Sequence, residues 1–255
     1  MKICDLYSAL CERIPAELSA PWDNDGLMCS GDNEKEINKV LICLDVTDRV
    51  IDYAFDNGFD LIVSHHPMIF SPLKNINSAS SVSRKVIKLI KSGISVMSFH
   101  TRLDSVSGGV NDALAEKLGV TATVPFGPQG EELGRVGMLK NDVSLTEFVD
   151  FVKVQLNCLR VNFVKNSDKV HKVALLGGEG KDFLKSAVLT GADTFITGNV
   201  GYNNIITADE IGINIIEAGH FETENPVCEK LKDIISSMDS SLAIEIINSN
   251  SIEIL

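Results

Sequence analysis

A chain of 255 residues, 44% hydrophobic and 23% charged, has an ordinary globular composition and material for one large domain or two modest ones. A formal net charge of −12 argues against a general nucleic-acid binder, which needs a basic stripe to displace phosphate counterions; a nucleotide substrate remains admissible, because bound metal cations invert the local field. No run approaches the roughly 18 apolar residues of a membrane span. Met1 to Asp5 does not open a signal peptide, and six scattered cysteines without a Cys-x-x-Cys pair read as buried thiols in a reducing, cytoplasmic setting.

In chain order, Ile3, Leu6, Tyr7, Leu10 and Ile14 repeat at helical spacing and Pro15 stops that helix. Pro21 to Gly26 is a turn cluster expected to pack its indole. Val40 to Leu44 reads as a buried strand ending at Asp45, Thr47 to Asn57 as a helix closed by Gly58, and Leu61-Ile62-Val63 as the next strand. Val82, Val86, Leu89 and Ile90 form a helical face ended by Gly93; Ile94 to Phe99 is a strand, and Val110 to Leu118 a helix. The Gly/Pro-rich stretch Pro125 to Gly137 is expected to connect two domains, 1–126 and 127–255.

Ser144-Leu145-Thr146-Glu147 is a capping box opening the next helix. Leu159 to Val164, Val170 to Leu176, Thr194 to Ile196 and Asn214 to Glu217 read as strands, with helices up to Thr190, from Asn204 to Ile211, and after Asn225-Pro226. Leu242 to Ile247 and Ile252 to Leu255 are expected to finish as strands. Strands alternating with helices at this spacing predict an α/β fold of βαβ units with a largely parallel sheet.

Chemistry collects at strand ends, where open α/β sheets bind ligands. Four of the five histidines, His65, His66, His100 and His220, directly follow apolar runs. Adjacent residues in extended backbone point to opposite faces, so His65 and His66 are placed to reach two ions rather than to chelate one together. With Asp104 and Glu224 they form a nitrogen/oxygen ligand set without sulfur, suited to zinc, iron, manganese, cobalt or nickel. Two such ions would activate a water and polarise a carbonyl or phosphoryl group, with Glu224 able to bridge. His100 is a candidate direct ligand or proton shuttle, or otherwise a residue orienting Asp104. His171, between Lys169 and Lys172, reads as a solvated surface residue, and Ser64 has no base-and-orienter pair. Gly177-Gly178-Glu179-Gly180 matches neither the dinucleotide nor the Walker pattern and reads as a tight strand-to-helix turn.

Together, Trp22-Asp23-Asn24-x-Gly26-Leu27, Leu44-Asp45-Val46-Thr47, Ser64-His65-His66-Pro67, His100-Thr101-x-Leu103-Asp104, Gly108-Gly109-Val110-Asn111-Asp112, Gly177-Gly178-x-Gly180, Thr197-Gly198 and Gly219-His220-x-x-x-Glu224 resemble the successive signatures of one family. These are the dinuclear-metal proteins labelled GTP cyclohydrolase 1 type 2 homologues, which are NGG-interacting-factor-like. The resemblance implies two interlinked α/β domains with mixed, largely parallel sheets, a metal cleft between them, and a homohexamer. It implies that His65 and Asp104 hold one metal, His66 and His220 the other, and that Glu224 bridges both. One departure is that many members carry Thr-Gly-Asp where this chain has Thr197-Gly198-Asn199, and a histidine near Asn203-Asn204. The expected function is metal-dependent hydrolysis of a nucleotide-like or heterocyclic small molecule; the rival is a non-catalytic protein that stores or delivers metal ions or a metallocofactor.

Overall fold

In the computed structural model, which describes residues 1–253, helix α1 (Ile3–Arg13) buries Ile3, Leu6 and Leu10 and ends ahead of Pro15. A 3₁₀ turn (Ala16–Leu18) leads to β1 (Gly26–Cys29) and β2 (Lys39–Cys43). The Thr47 hydroxyl accepts the Val50 amide and starts α2 (Asp48–Asp56). After β3 (Leu61–Ser64), Ser80 caps α3 (Ser81–Ser92), which Gly93 closes in the left-handed conformation. Then come β4 (Ser95–Ser98) and a single-turn helix, α4 (Thr101–Ser105).

Next in the chain are α5 (Val110–Lys117), β5 (Thr121–Phe126) and β6 (Gly134–Ser144). Helix α6 (Leu145–Gln155) opens on the Ser144/Glu147 capping box. It is followed by β7 (Asn162–Val164), β8 (Lys169–Glu179), α7 (Leu184–Leu189), β9 (Thr194–Asn199), α8 (Tyr202–Ile211), β10 (Asn214–Glu217) and α9 (His220–Glu224). Finally α10 (Val227–Met238) leads to β11 (Ala243–Ile246).

Internal contacts divide the chain into a first unit, Met1–Val106 with Cys228–Ser251, and a second, Ser107–Val227. The first unit's sheet runs β1-β4-β3-β2-β11, parallel except for edge strand β1. One face, with Leu41, Cys43 and Ile62, packs on Val50, Ile51 and Ala54 of α2 and Val86 and Leu89 of α3. The second unit's sheet runs β5-β6-β8-β9-β10-β7; a parallel centre of β8, β9 and β10 is flanked by antiparallel strands. It is covered on both faces, by α5 and α6 residues on one and by Leu184, Ala187 and Ala208 of α7 and α8 on the other.

Three expectations need correction. The 125–137 stretch does not link domains: β5 and β6 pair as an antiparallel hairpin inside the second unit. The β-branched and aromatic residues of Thr121–Phe126 outweigh Pro125, which an edge strand tolerates. The sequence-based boundary at 126/127 thus falls within that unit. The Gly177–Gly180 stretch instead falls largely within β8, which continues to Glu179 through an irregularity where Gly178 takes φ +72°. The expected strand Ile252–Leu255 has no regular structure at 252 and 253, and its last two residues lie outside the described ones. Among the described residues no helix is long and apolar enough to cross a membrane.

Candidate metal centre

Three adjacent parallel strands deliver the first unit's polar cluster: β2 ends ahead of Asp45, β3 ahead of His65 and His66, and β4 ahead of His100. Sheet-like pairing continues past the strands, with the His65 amide donating to Cys43 O (3.3 Å), His66 to Leu44 O (2.9 Å) and Phe99 to Ser64 O (2.9 Å). The Ser64 hydroxyl donates to His66 O at 2.9 Å and lies 2.8 Å from the Ser98 hydroxyl. It braces the backbone of the histidine pair and has no base to activate it.

The His65, His66 and His100 rings lie 4.9, 5.3 and 5.7 Å apart by centroids, and each offers a ring nitrogen within 4.8 Å of the others. In all three, Nδ1 is held by an oxygen: Phe99 O at 2.9 Å for His65, Asp45 Oδ1 at 2.8 Å for His66, and Asp23 Oδ1 at 2.9 Å for His100. A carbonyl or an ionised carboxylate can only accept, so each Nδ1 carries a proton, and in the neutral ring the lone pair then lies on Nε2. Metal-bound histidines are oriented in this way.

The loop before β1 does more than turn. Asp23 Oδ2 accepts both the Thr101 amide (3.0 Å) and the Thr101 hydroxyl (2.6 Å). Asp25 Oδ2 accepts the His100 amide (3.3 Å) and Arg102 Nε (3.0 Å). Burial alone would push the pKa of Asp23 up, but the hydrogen bonds from His100 and Thr101 outweigh it and hold the carboxyl well below the usual carboxylate range. A five-residue helix is marginal by itself; these two carboxylates clamp α4 at its start and so set the direction of Asp104. The His65 Nε2 to Asp104 Oδ1 distance is 3.6 Å, long for a hydrogen bond and close to the edge of about 3.4 Å spanned by two ligands with bonds of about 2.1 Å in a tetrahedral site. Imidazoles plus a carboxylate, without sulfur, fit a divalent transition metal. The indole expected to be packed is exposed instead: Trp22 is 59% accessible.

In the second unit the ends of β8, β9 and β10 meet around α9. The Gly178 amide donates to the Thr223 hydroxyl (3.1 Å), Gly177 to Asn111 Oδ1 (2.8 Å), and the Thr197 hydroxyl to Gly178 O (3.1 Å). His220 and Glu224, one turn apart on α9, bring Nε2 and Oε2 to 3.1 Å. A Cβ on Gly178 would stand 2.2 Å from Glu224 Oε1, and one on Gly198 would stand 2.7 Å from His220 Cα. The glycines therefore make room for the ligand pair.

The structure thus groups His65, His66, His100 and Asp104 in one unit and His220 with Glu224 in the other. Sequence reasoning missed Asp23, Asp25 and Asp45 as the residues that orient them; the Leu44-Asp45 and Trp22-Asp23-Asn24 stretches were the available signal. Asn204, standing near the family's histidine, ties its loop down by donating to Lys181 O (2.6 Å) and Val200 O (2.9 Å). His171 is partly exposed, with Nδ1 3.0 Å from Asp142.

The sequence profile of Duf34/NIF3 (NGG1p interacting factor 3) matches residues 1–253. A GTP cyclohydrolase 1 type 2 homolog of Clostridium perfringens is 37% identical over 246 residues, spanning 93% of this chain and 94% of that protein. Among solved structures, Staphylococcus aureus hypothetical protein SA1388 matches with a TM-score of 0.89 at 26% identity, covering 100% of this chain and 99% of its own. Reduced HcgD from Methanocaldococcus jannaschii matches with a TM-score of 0.82 at 30% identity, covering 96% and 97%.

Proposed function

The chain belongs to the Duf34/NIF3 family, and from that premise we propose that it is a metal-dependent hydrolase of a nucleotide-like or heterocyclic small molecule. In this reading it holds two divalent transition ions through His65, His66, Asp104, His220 and Glu224. The observation that supports it is the uniform engagement of Nδ1 in His65, His66 and His100, whose rings gather so closely that each has a nitrogen within 4.8 Å of the others.

Bound ions would supply Lewis-acid polarisation and water made acidic near neutral pH. The chain's own residues supply the rest. Asp45 and Phe99 O fix the ring planes of His66 and His65. Asp23 fixes the tautomer and ring plane of His100 and so directs Nε2 for proton transfer. A second reading, metal storage or delivery, draws on the 45% side-chain exposure of His220, which suits exchange of an ion with a partner. A homohexamer is the assembly we carry with either reading, checked by light scattering.

The deciding experiment is elemental analysis of protein purified without a chelating tag, followed by a turnover screen with the metal found. Two ions per chain, reduced in His66→Ala and Glu224→Ala, together with metal-dependent turnover would support the hydrolase. Two ions that exchange quickly, with no turnover on nucleotides or heterocycles, would move the assignment to delivery. One ion or none would overturn the dinuclear reading.

A further inference from the structure

We propose that Trp22 and Phe70 form a stacking platform for a planar heteroaromatic ring of the substrate, set against His100. This rests on the reading of the histidine cluster as a reaction centre and adds to it the part of the substrate that is recognised.

The two side chains are 59% and 52% exposed, although aromatic rings gain more than most side chains from burial. Single exposed apolar residues are ordinary. These two touch each other, with ring centroids 6.1 Å apart, and each also stands in a T-shaped arrangement with the His100 ring, at 6.2 and 6.4 Å. Their planes are inclined at 50°, so the two rings are not stacked on one another, and with more than half of each side chain exposed they offer aromatic surface to a flat ring.

The pair is also held in shape. Trp22 precedes Asp23, whose carboxylate is fixed by His100 and Thr101. Asn24 Nδ2 donates to Ile69 O, tying the loop that carries Trp22 to the loop that carries Phe70. A platform fixed before binding loses little freedom when a ligand arrives.

Charge decides which part of a substrate is read here. Within 19–26, 65–72 and 98–104 the single cation is Arg102, which is 1% exposed and paired with Asp25. Beside the ions that the histidine cluster would hold, no side chain of these segments offers a cation to a phosphate. The pair therefore reads the ring, and aromatic stacking tolerates purine, pteridine or pyridine alike.

The chain has one tryptophan, so fluorescence excited at the red edge of the band, where the three tyrosines do not absorb, reports on position 22. Zinc-loaded and metal-free protein are each titrated with guanosine, a pterin and nicotinamide, and with ribose 5-phosphate as the ring-free control; free N-acetyltryptophanamide corrects for absorbed light. The expected result is saturable quenching by at least one ring compound and none by ribose 5-phosphate. Trp22→Ala and Phe70→Ala should weaken retention of that compound in equilibrium dialysis by roughly five- to 150-fold, with zinc content and melting temperature unchanged, and Trp22→Phe should recover most of it. Absence of saturable quenching by all three rings, or equal quenching by ribose 5-phosphate, overturns the proposal. So does a fall in native mass in either alanine variant, which would make the pair a contact between copies. A chain that holds no zinc yet binds the ring would refute the metal reading and leave the platform standing.

Discussion

His66 Nδ1 lies 2.8 Å from Asp45 Oδ1, and that contact decides which nitrogen His66 presents to a ligand. Without the carboxylate, the ring is free to change tautomer and to rotate about χ2. Removal of such an orienting partner typically costs 10- to 100-fold in metal affinity. Asp45→Ala is accordingly expected to bind zinc about 10- to 100-fold more weakly than the parent, read by competition with a chromophoric chelator. The Asp45 amide bond to the Ser249 hydroxyl survives the substitution, so the fold, followed by circular dichroism, should not change. Parental affinity would show that His66 is oriented by something else.

Gly178 gives a prediction in the second unit. Its φ of +72° disfavours any side chain, and a Cβ would overlap Glu224 Oε1 at 2.2 Å while standing 3.2 Å from His220 Nε2. Gly178→Ala must displace the Glu224 carboxylate, which is 8% exposed. The expected outcome is a loss of about 1–3 kcal/mol of stability from backbone strain, together with a fall in bound metal larger than that of a control glycine variant, Gly58→Ala. Gly58 also has positive φ but has nothing within 4 Å of its Cβ direction. Equal metal content in the two variants would count against a ligand role for the α9 pair.

These two contacts also mark what the sequence could and could not convey. The histidine pair was legible because it follows a short buried run and because its neighbours, His100 and His220, repeat that placement at other strand ends. Asp23 as the partner of His100 was not: the two are 77 residues apart, and only the pairing of β1 with β4 brings them together. The same distance hid the exposure of Trp22, since an indole in a turn cluster ordinarily packs. Gly178 looked like a turn residue because its function is to leave space for a side chain 46 positions later. The hairpin of β5 and β6 was masked by Gly and Pro, whose turn preference holds at its tip, between Phe126 and Gly134, and fails in the flanking residues.

Asp60 supplies a pH dependence away from the histidines. Its Oδ2 accepts the amides of Asn38 (2.9 Å) and Lys39 (3.2 Å), and its Oδ1 pairs with Lys35 Nζ at 2.9 Å. Burial pushes the carboxyl up, but the Asn38, Lys35 and Lys39 contacts outweigh it and leave it below its ordinary value. A carboxyl depressed in the folded state adds stability above its unfolded value of about 3.9, and that stability is lost as pH falls through the folded value. Asp60→Asn should therefore melt earlier at pH 7, by an amount equivalent to about 1–2 kcal/mol, and the gap to the parent should narrow below about pH 4. Thermal melts from pH 7 down to 3 check this; a gap independent of pH would refute it.

Arg102 of α4 is anchored by Asp25, and the energetics of the two are those of a buried ion pair. Their side chains are 1% and 6% exposed, with Nε 3.0 Å from Oδ2. The guanidinium also donates through Nη1 to Ile14 O at 3.2 Å and lies over the Phe99 ring, 4.5 Å from its centroid. Removing one partner leaves the other charge buried, which typically costs 3–5 kcal/mol, whereas replacing both by groups of similar shape is often near neutral. Arg102→Met should thus destabilise by about 3–5 kcal/mol, and Arg102→Met with Asp25→Asn by clearly less than the sum of the single changes. Because Asp25 also accepts the His100 amide, the double variant should regain stability without regaining full metal affinity: stability depends on charge balance, and the position of His100 depends on the carboxylate itself. Denaturant melts and zinc competition on the same four proteins complete the cycle. If affinity recovered in step with stability, the clamp would act on the fold alone and not on the direction of His100 and Asp104.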